Sequence, residues 1–451
     1  MYVTALFLDI LDTTIVNVAF PALGREFQSD SVEWVVLGYT LSLAVWIPAA
    51  GWFGDRFGTK RTFLFAFTAF TLGSLLCASA QSIGQLIAFR VFQGVGGGML
   101  TPVGIAMLFR VFPPAQRAKV ATIIMIPTLV APALGPLLGG VIVTHFSWRW
   151  IFLVNVPVGI VGLIVGLRYL REHREPRAGG FDVPGFVLSG SGLALIVFSL
   201  SEGPRLGWGS TQVLAAAAMG LCCATAMVIV ELRVEHPMLH LRLLKNRMFR
   251  QCNIVSIFSQ ASFLGVVFIM PLYLQNFRGL SPQRSGLTTF TQPFGVLISS
   301  QIAGRLYKRI GPRRLMTGGL LAAGMVISSL AFITATTSLW VISSVIFVRG
   351  LCMGFSFVPM QAASYATIAP SDNGRAASIF STQRQVATSV SIAVLVSVLS
   401  SYMTLSGPPD DAGRALTGYR LAFSIAVAFA LLAAFAASFI RDADAAPTMA
   451  R

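Results

Sequence analysis

Two aspartates, Asp9 and Asp12, lie inside the first apolar segment of this sequence, which runs from Val3 to Phe20. An ionised carboxyl at bilayer depth costs roughly 2.5–3.5 kcal/mol on insertion scales, so such residues line water-filled cavities or pair with other groups. Taking up a proton removes this cost, because an apolar environment favours the neutral acid. A buried acid that gains and releases a proton is the component that a proton-coupled carrier requires.

Helical spacing places four polar side chains of this segment on one face. Asp9, Thr13 and Asn17 recur every four residues, and Asp12 lies three residues after Asp9. At ~1.5 Å per residue, Asp12 lies about 16 Å from Met1, near the middle of a ~30 Å hydrocarbon core. We therefore expect Asp12 to bind the coupling proton, and Asp9, which lies nearer water, is the second candidate for this role. The alternative is that both acids only hydrogen-bond a neighbouring helix.

Three arginines, Arg90, Arg349 and Arg384, also fall within apolar segments. A guanidinium keeps its proton at physiological pH, so a buried arginine needs an anionic or carbonyl partner. The acidic face of the first segment is the expected partner of Arg90. Structural pairing and a part in proton transfer both remain open for this residue.

The composition excludes a soluble globular protein. Of 451 residues, 55% are hydrophobic and 11% are charged, and the mean hydropathy is +0.75, which predicts an all-α polytopic membrane protein. The net charge of +16 lies in short loops, where it indicates topology and contact with anionic lipid rather than nucleic-acid binding. No nucleophile–base set, metal cluster or phosphate-binding loop is recognisable, so we expect no enzyme activity, no catalytic or metal site and no cofactor.

The apolar runs predict fourteen transmembrane helices. Their expected positions are 3–22, 33–52, 62–80, 85–108, 119–143, 150–169, 183–201, 211–231, 251–275, 285–306, 314–334, 339–366, 376–402 and 419–440. Twenty-three of the 33 Lys and Arg residues fall in the ends and loops of one side, and seven fall on the other. This asymmetry predicts that both termini are cytoplasmic.

An internal repeat divides the chain. Gly51–Arg61 aligns without a gap to Gly304–Arg314, and each copy joins two apolar runs. Repeats that enclose a cavity at the bilayer midplane are typical of alternating-access carriers. The expected organisation is a six-helix half at 1–170, a linker with two extra transmembrane helices at 171–249, a second six-helix half at 250–441 and a short cytoplasmic tail at 442–451.

Four motifs, in this order and spacing, resemble the major facilitator superfamily, in its fourteen-spanner drug:proton antiporter branch (EmrB/QacA-like). They are Leu11–Pro21, Gly51–Arg61, Arg90–Gly96 and Gly135–Gly140. The resemblance implies the major facilitator fold, with two six-helix halves and two inserted helices. It also implies that Asp12 is the proton-coupling acid and that Arg90 takes part in proton transfer, whereas Asp9 is an addition to the family pattern.

The second motif is expected to form a cytoplasmic gating loop. Its marked residues are Gly51, Asp55, Arg56, Gly58, Lys60 and Arg61. The two glycines permit close approach or positive φ, and the Asp55 carboxylate is expected to dock on a helix N-terminus near Asn373–Arg375. Breaking this latch would accompany inward opening.

The last motif lies on the fifth predicted helix and is associated in the family with export. Its residues are Ala131, Gly135, Pro136, Gly139 and Gly140. Small residues let helices pack closely in lipid, and proline permits a bend. Simple helix packing is the alternative interpretation, so the direction of transport depends here on the resemblance.

The resemblance implies an antiporter that exports amphipathic or lipophilic drugs, or an endogenous metabolite, from a bacterial plasma (inner) membrane. Its energy source would be the proton gradient, and its partners would be the small-molecule substrate, protons and the lipid bilayer, with an adaptor protein unassigned. Candidate cavity residues are Asn17, Thr13, Gln93, Tyr273, Gln275 and Arg349. The alternatives are a proton-coupled nutrient importer on the same fold and a non-transporting membrane sensor or scaffold.

Overall fold

The chain was analysed as a computed structural model. It describes residues 2–29, 31–111, 131, 134, 135, 137–172, 174, 180–234, 237–368, 373–403 and 411–446. These residues form helices and connecting turns, and no strand occurs among them. The fold is therefore all-α, as the composition predicts.

The long helices are numbered here in chain order over the described residues. They are α1 Tyr2–Phe27, α2 Trp34–Phe57, α3 Thr59–Ser79, α4 Ile83–Val111, α5 Asn155–Tyr169, α6 Val183–Leu206, α7 Thr211–Arg233, α8 Arg247–Leu272, α9 Pro282–Thr289, α10 Thr291–Ile310, α11 Pro312–Ser328, α12 Leu339–Ser364, α13 Asn373–Ser400 and α14 Ala412–Ser438. A short helix, Trp150–Leu153, precedes α5, and a π-helical turn, Tyr273–Phe277, extends α8. Residues 137–145 are also helical.

Most of the predicted transmembrane helices are present. Within the described ranges, eleven helical stretches are long and apolar enough to cross a membrane. The predicted spans at 285–306 and 376–402 correspond to α10 and α13, which are less apolar. The predicted span at 119–143 lies mostly outside the described residues. The fold is that of a polytopic helical membrane protein.

Proline interrupts two of the predicted spans. The span at 150–169 breaks at Val154, and the span at 285–306 divides into α9 and α10 at Phe290. Pro157 and Pro293 follow these breaks by three residues. Because proline has no N–H, it cannot donate to the carbonyl four residues earlier, and the helical ladder is interrupted there.

Two predicted boundaries were wrong. Gly51–Phe57 is not a loop: it continues α2, whose Trp52 ring lies 4.8 Å from that of Phe181, and the chain reverses at Gly58 alone, with φ +101°. The last helix begins seven residues earlier than expected, at Ala412. The Asp411 carboxylate caps it by accepting hydrogen bonds from the backbone N–H groups of Gly413 and Arg414.

The two halves of the repeat pack against each other near the ends of α1 and α8. The rings of Phe20 and Phe268 are 5.4 Å apart in an edge-to-face contact. On the adjacent helices α2 and α13, the hydroxyls of Thr40 and Ser389 are 3.2 Å apart. The inserted helix α6 covers this junction by packing against both α2 and α13. Nearer the start of α1, Asp9 retains partly exposed surface, and Arg384 on α13 is exposed.

Candidate functional site

Asp12 and Arg90 form an ion pair at the centre of the first half. Nη1 of Arg90 on α4 lies 2.5 Å from Oδ2 of Asp12 on α1, and neither side chain is exposed to solvent. The pair as a whole carries no net charge, which is the form in which two ions can be buried. The partner that the sequence predicted for Arg90 is therefore the one found.

Three neutral polar groups complete the surroundings of Asp12. Gln93 Nε2 and Asn155 Nδ2 donate to Asp12 Oδ1, at 3.1 and 3.0 Å. Both amides also donate to Ser74 Oγ, and Arg90 Nη1 donates to Gln93 Oε1. Gln93 was a sequence candidate, but Asn155 and Ser74 were missed because single polar residues in apolar helices carry no distinguishing spacing. The result is a closed network in which each oxygen of the carboxylate accepts a hydrogen bond.

Asp9 lies one helical turn before Asp12 in a different environment. Its Oδ1 accepts a hydrogen bond of 2.7 Å from the Tyr39 hydroxyl, and its side chain is partly exposed. The ring of Tyr39 in turn faces Arg90, with the guanidinium carbon 4.0 Å from the ring centroid. Tyr39 thus joins the partly exposed acid to the buried ion pair, and the sequence analysis did not select it.

The other two polar residues of the α1 face contact their own helix. Thr13 Oγ1 donates to the carbonyl of Asp9 at 2.8 Å, and Asn17 Nδ2 donates to the carbonyl of Thr13 at 3.4 Å. Asn17 Oδ1 is buried without a hydrogen-bond partner. Asn17 therefore keeps a buried acceptor without a partner, whereas the hydroxyl hydrogen of Thr13 is used within its own helix.

The glycines of the predicted export motif pack against α1 beside Asp12. A Cβ on Gly135 would collide with the Thr14 side chain, and one on Gly139 would lie 3.0 Å from the carbonyl oxygen of Ile15. Gly140 lies against the second half, since a Cβ there would be 2.7 Å from the Cα of Gln283. These small residues permit the close helix packing that the sequence indicates. Ala131 is buried, and Pro136 lies outside the described residues.

Arg349 is the repeat-related counterpart of Arg90, but its surroundings differ. It is fully buried on α12 and donates to the backbone carbonyls of Ser262 and Phe263 and to Gln292 Oε1, at 2.7–3.1 Å. Its Nε has no hydrogen-bond partner. Within the described part of the chain, no carboxylate pairs with it. The two halves therefore bury the same cation in chemically different ways.

Arg384 is a further charged residue at the interface. It lies on α13, its side chain is exposed, and it interacts electrostatically with Asp9 and with the hydroxyls of Tyr2 and Tyr365. The sequence predicted it within a span but indicated no role for it. Asp9 on α1 and Arg384 on α13 therefore place one acidic and one basic group, both with exposed surface, on facing helices of the two halves.

The remaining candidates lie in the second half. Tyr273 is fully buried and donates its hydroxyl hydrogen to the carbonyl of Thr334 at 2.8 Å. Gln275 Nε2 donates to Ser285 Oγ at 3.4 Å, while its Oε1 is buried without a partner. Tyr273 is thus held within the second half, and Gln275 retains an unused acceptor.

Carboxylates that follow the last helix of each half cap the third helix of that half. Glu172 accepts hydrogen bonds from the backbone N–H groups of Lys60 and Arg61 at the start of α3, at 2.9 and 3.2 Å. Asp442 accepts one from the N–H of Arg313 at the start of α11, at 2.9 Å. The side chains of Asp55 and of Asn373–Arg375 lie outside the described residues, so the predicted latch stays a prediction.

The capping geometry requires glycine before each helix. Gly58 and Gly311 have φ of +101° and +85°, a region that glycine adopts without strain. A Cβ on either residue would also collide with the capping carboxylate, Glu172 or Asp442. Gly58 therefore behaves as the motif predicts. Its close neighbour is Glu172, which the sequence analysis did not identify because the residue lies over a hundred positions away.

We expect Glu172→Ala to lower the free energy of unfolding by about 1 kcal/mol, because it removes a charged cap from exposed N–H groups. Thermal unfolding of the purified protein would measure the change. Arg61→Ala is the matched control: its side chain is mostly exposed and lies 3.8 Å from Glu172, so its loss should have a smaller effect. An equal loss in both variants would contradict the capping interpretation.

Comparison with known proteins agrees with this architecture. The sequence profile of the Major Facilitator Superfamily matches residues 2–392 and 252–449. A multidrug resistance protein B homolog of Mycobacterium tuberculosis is 38% identical over 398 residues, which cover 87% of this chain and 74% of that protein. The methylenomycin A resistance protein of Streptomyces coelicolor is 32% identical over 401 residues, covering 88% and 84%.

A solved structure has the same fold. The crystal structure of a bacterial homolog of the human lysosomal transporter Spinster, in an inward-facing and unoccupied conformation, aligns with a TM-score of 0.68 at 17% identity. The alignment covers 97% of this chain and 95% of that one. Because the family profile spans nearly the whole sequence and the relatives align over most of their length, this chain belongs to the Major Facilitator Superfamily of membrane transporters.

Proposed function

We propose that this protein is a proton-coupled antiporter that exports amphipathic or lipophilic compounds, drugs or an endogenous metabolite, with Asp12 as the coupling carboxylate. The observation that carries the proposal is the buried Asp12–Arg90 ion pair, 2.5 Å between Oδ2 and Nη1, inside two helices of transmembrane length. Ionisable residues at bilayer depth are costly and occur mainly on ion and substrate pathways. No further cofactor is required, since the proton gradient supplies the energy.

The coupling step follows from what protonation does to this pair. A proton on Asp12 neutralises the carboxylate and leaves Arg90 as a buried cation without its counter-ion, which is strongly unfavourable. Arg90 already lies against Tyr39, whose hydroxyl holds Asp9. We infer that Arg90 turns toward Asp9 when Asp12 takes up a proton. Proton binding then moves α4 relative to α1, which is the kind of change that alternating access needs.

Asp9 supplies the cytoplasmic end of this pathway. It is partly exposed, whereas Asp12 has no exposed surface, so a proton that leaves Asp12 for the cytoplasm passes Asp9. The Tyr39 hydroxyl, 2.7 Å from Asp9, joins this acid to the ion pair. Because the positive-inside asymmetry predicts cytoplasmic termini, the start of α1 and the exposed side of Asp9 would face the cytoplasm.

The direction of transport is supported by the relatives and by the packing of the fifth predicted span, the segment that contains Gly135 and Gly139. Both relatives described above are named for drug resistance, a role that export fulfils. Gly135 and Gly139 pack this segment against Thr14 and Ile15 of α1, two and three residues after Asp12. A movement of α1 at the ion pair would therefore displace this segment, which also contacts the second half at Gly140.

The polar groups between the halves set the expected substrate chemistry. Among the described residues, Asp9 and Arg384 are the charged side chains that face each other there, and Asn17 on the same helix as Asp9 has an unused acceptor. A single acid provides for one cationic group, so monocationic or neutral amphipathic compounds fit better than dications. Asp9 would then bind substrate or proton, but not both.

Proteoliposomes loaded with a pH-sensitive dye would test the proposed exchange. With the protein reconstituted and the inside acidic, adding lipophilic monocations outside should release protons, and an imposed pH gradient should drive substrate against its own gradient. Liposomes without protein are the control. Substrate and protons moving in the same direction would contradict antiport and favour the importer.

A further inference from the structure

Two carboxyl groups are buried far from the Asp12 site, at one end of the inserted helices. Asp182 caps the start of α6, and Glu231 lies in the last turn of α7. Asp182 is 6% exposed and Glu231 is 0% exposed. Carboxylates are almost never buried to this extent unless they are paired with a donor or a cation. The burial of these two residues was not predicted, because both stand at helix ends, where acids normally face water.

Each carboxyl has one oxygen that accepts a hydrogen bond and one that does not. Asp182 Oδ1 accepts from the N–H of Gly185 at 2.8 Å, and Glu231 Oε2 accepts from the N–H of Leu239 at 3.0 Å. Asp182 Oδ2 and Glu231 Oε1 are buried without any hydrogen-bond partner. An unsatisfied buried acceptor destabilises the folded state, and this site holds two of them.

The two unsatisfied oxygens face the same point. A Cβ built on Gly185 would collide with Asp182 Oδ2 and would lie 3.0 Å from Glu231 Oε1. The absence of a side chain at Gly185 therefore allows the two carboxyl groups to approach each other. Two ionised carboxylates so placed would repel each other at this buried position.

Among the described residues, the neighbouring cations do not resolve this repulsion. The described basic or titratable residues that follow Glu231 on α7 and on the segment that packs against it are Arg233, His240, Arg242 and Lys245. Arg242 donates instead to the carbonyl of Leu232, at 2.9 Å. On the neighbouring helix α2, Arg56 is exposed. None of these side chains donates a hydrogen bond to Asp182 Oδ2 or Glu231 Oε1.

We propose that Asp182 and Glu231 form a second proton-binding site, in which a single proton is held between Asp182 Oδ2 and Glu231 Oε1. One proton satisfies both oxygens, since the protonated carboxyl donates and the other accepts. It also removes one of the two negative charges. A metal ion fits less well, because among the described residues no group of three or more His, Cys, Asp and Glu side chains is present there, and cations such as Ca²⁺ take six to eight oxygens.

The site connects the inserted helices to the second half of the transporter. Leu239, whose N–H holds Glu231, packs in an apolar cluster with Phe249 of α8 and with Ala376 and Ile379 of α13. Loss of the proton would drive the two carboxylates apart and loosen the end of the α6–α7 hairpin from this cluster. The hairpin therefore becomes a pH-responsive support for α13, independent of Asp12.

Infrared difference spectroscopy of the full-length protein in lipid would test this site directly. The carbonyl band of a protonated carboxyl should be present in the wild type at acidic and neutral pH, disappear as the pH rises, and be reduced equally in Glu231→Gln and Asp182→Asn. Both amides preserve shape and the existing hydrogen bonds. Glu202→Gln is the matched control, because Glu202 is equally buried on the same hairpin but accepts from Trp34 and Arg205.

Thermal unfolding at different pH values provides a second measurement. A proton bound in the folded state contributes stability that is present at low pH and is lost as the pH rises. The wild type and Glu202→Gln should show this loss, and the Glu231→Gln variant should lack it. An unchanged carboxyl band in Glu231→Gln would overturn the proposal. A wild-type protein that is stabilised at constant pH by a metal cation, with no carboxyl band, would also overturn it in favour of a cation site.

Discussion

Asp12→Asn should abolish substrate-dependent proton release while leaving the protein in the membrane. Asparagine preserves the shape of the side chain and can still accept from Gln93 and Asn155, but it cannot ionise. The change also leaves the fully buried Arg90 without its counter-ion. Breaking a buried pair in this way is destabilising by about 3–5 kcal/mol. The variant should therefore lose both coupling and stability, and proteoliposome proton release and thermal unfolding measure the two effects separately.

A double variant separates these two losses. Asp12→Asn combined with Arg90→Gln removes both charges, so the stability lost in the single variant should be largely regained. Proton release should stay absent, because no titratable group remains in the network. Asp9→Asn is the control that leaves the ion pair intact and should preserve more stability than Asp12→Asn. Proton release at the wild-type level in a folded Asp12→Asn variant would move the coupling site elsewhere.

The sequence was sufficient to predict the ion pair because burial makes charge pairing obligatory. Few charges lie within the apolar segments, and the acids of the first helix were an obvious supply for Arg90. The neutral groups around Asp12 could not be found in the same way. Asn155 and Ser74 are ordinary polar residues in their helices, and only the packing of α3, α4 and α5 against α1 shows that both belong to one network.

The same limit applies to contacts between distant segments. Glu172 and Asp442 are acidic residues after helix ends, with no neighbouring motif that distinguishes them from other loop acids. Yet each caps a helix whose N–H groups lie over a hundred residues earlier in the sequence. The glycine spacing indicated a tight turn at Gly58 but not the carboxylate that occupies it. The inserted helices were similarly predicted only as two extra transmembrane helices, since their apolar sequence does not indicate that Asp182 and Glu231 lie close together.

The observed helix boundaries show which parts of the fold the local sequence determines. The apolar runs located most of the helices to within a few residues, whereas prolines divided two of them and aromatic packing extended α2 through the predicted loop. These differences arise from hydrogen bonds that proline cannot make and from side-chain contacts with Phe181. Neither alters the all-α class, because the apolar length of each segment already requires a helix in the membrane.

The two repeat-related arginines give the second prediction of large effect. Arg90→Met should cost about 3–5 kcal/mol of unfolding free energy, because it leaves the Asp12 carboxylate buried and unpaired. Arg349→Met should cost at most about 1 kcal/mol. It removes a buried cation with no carboxylate partner among the described residues, and the new cost is mainly the unsatisfied oxygen of Gln292. Comparing Arg90→Met with Arg349→Met thus separates the contribution of charge pairing to stability from that of side-chain packing.

Thermal or chemical unfolding in one detergent would measure both variants, at neutral and at acidic pH. The loss in Arg90→Met should shrink as the pH falls, since a protonated Asp12 carries no charge that needs a partner. The smaller loss in Arg349→Met should not change with pH, because no carboxylate depends on that arginine. Equal and pH-independent losses in the two variants would mean that the arginines act only by filling space. In that case Arg90 would not stabilise the ionised form of Asp12, and the proposed coupling step would be wrong.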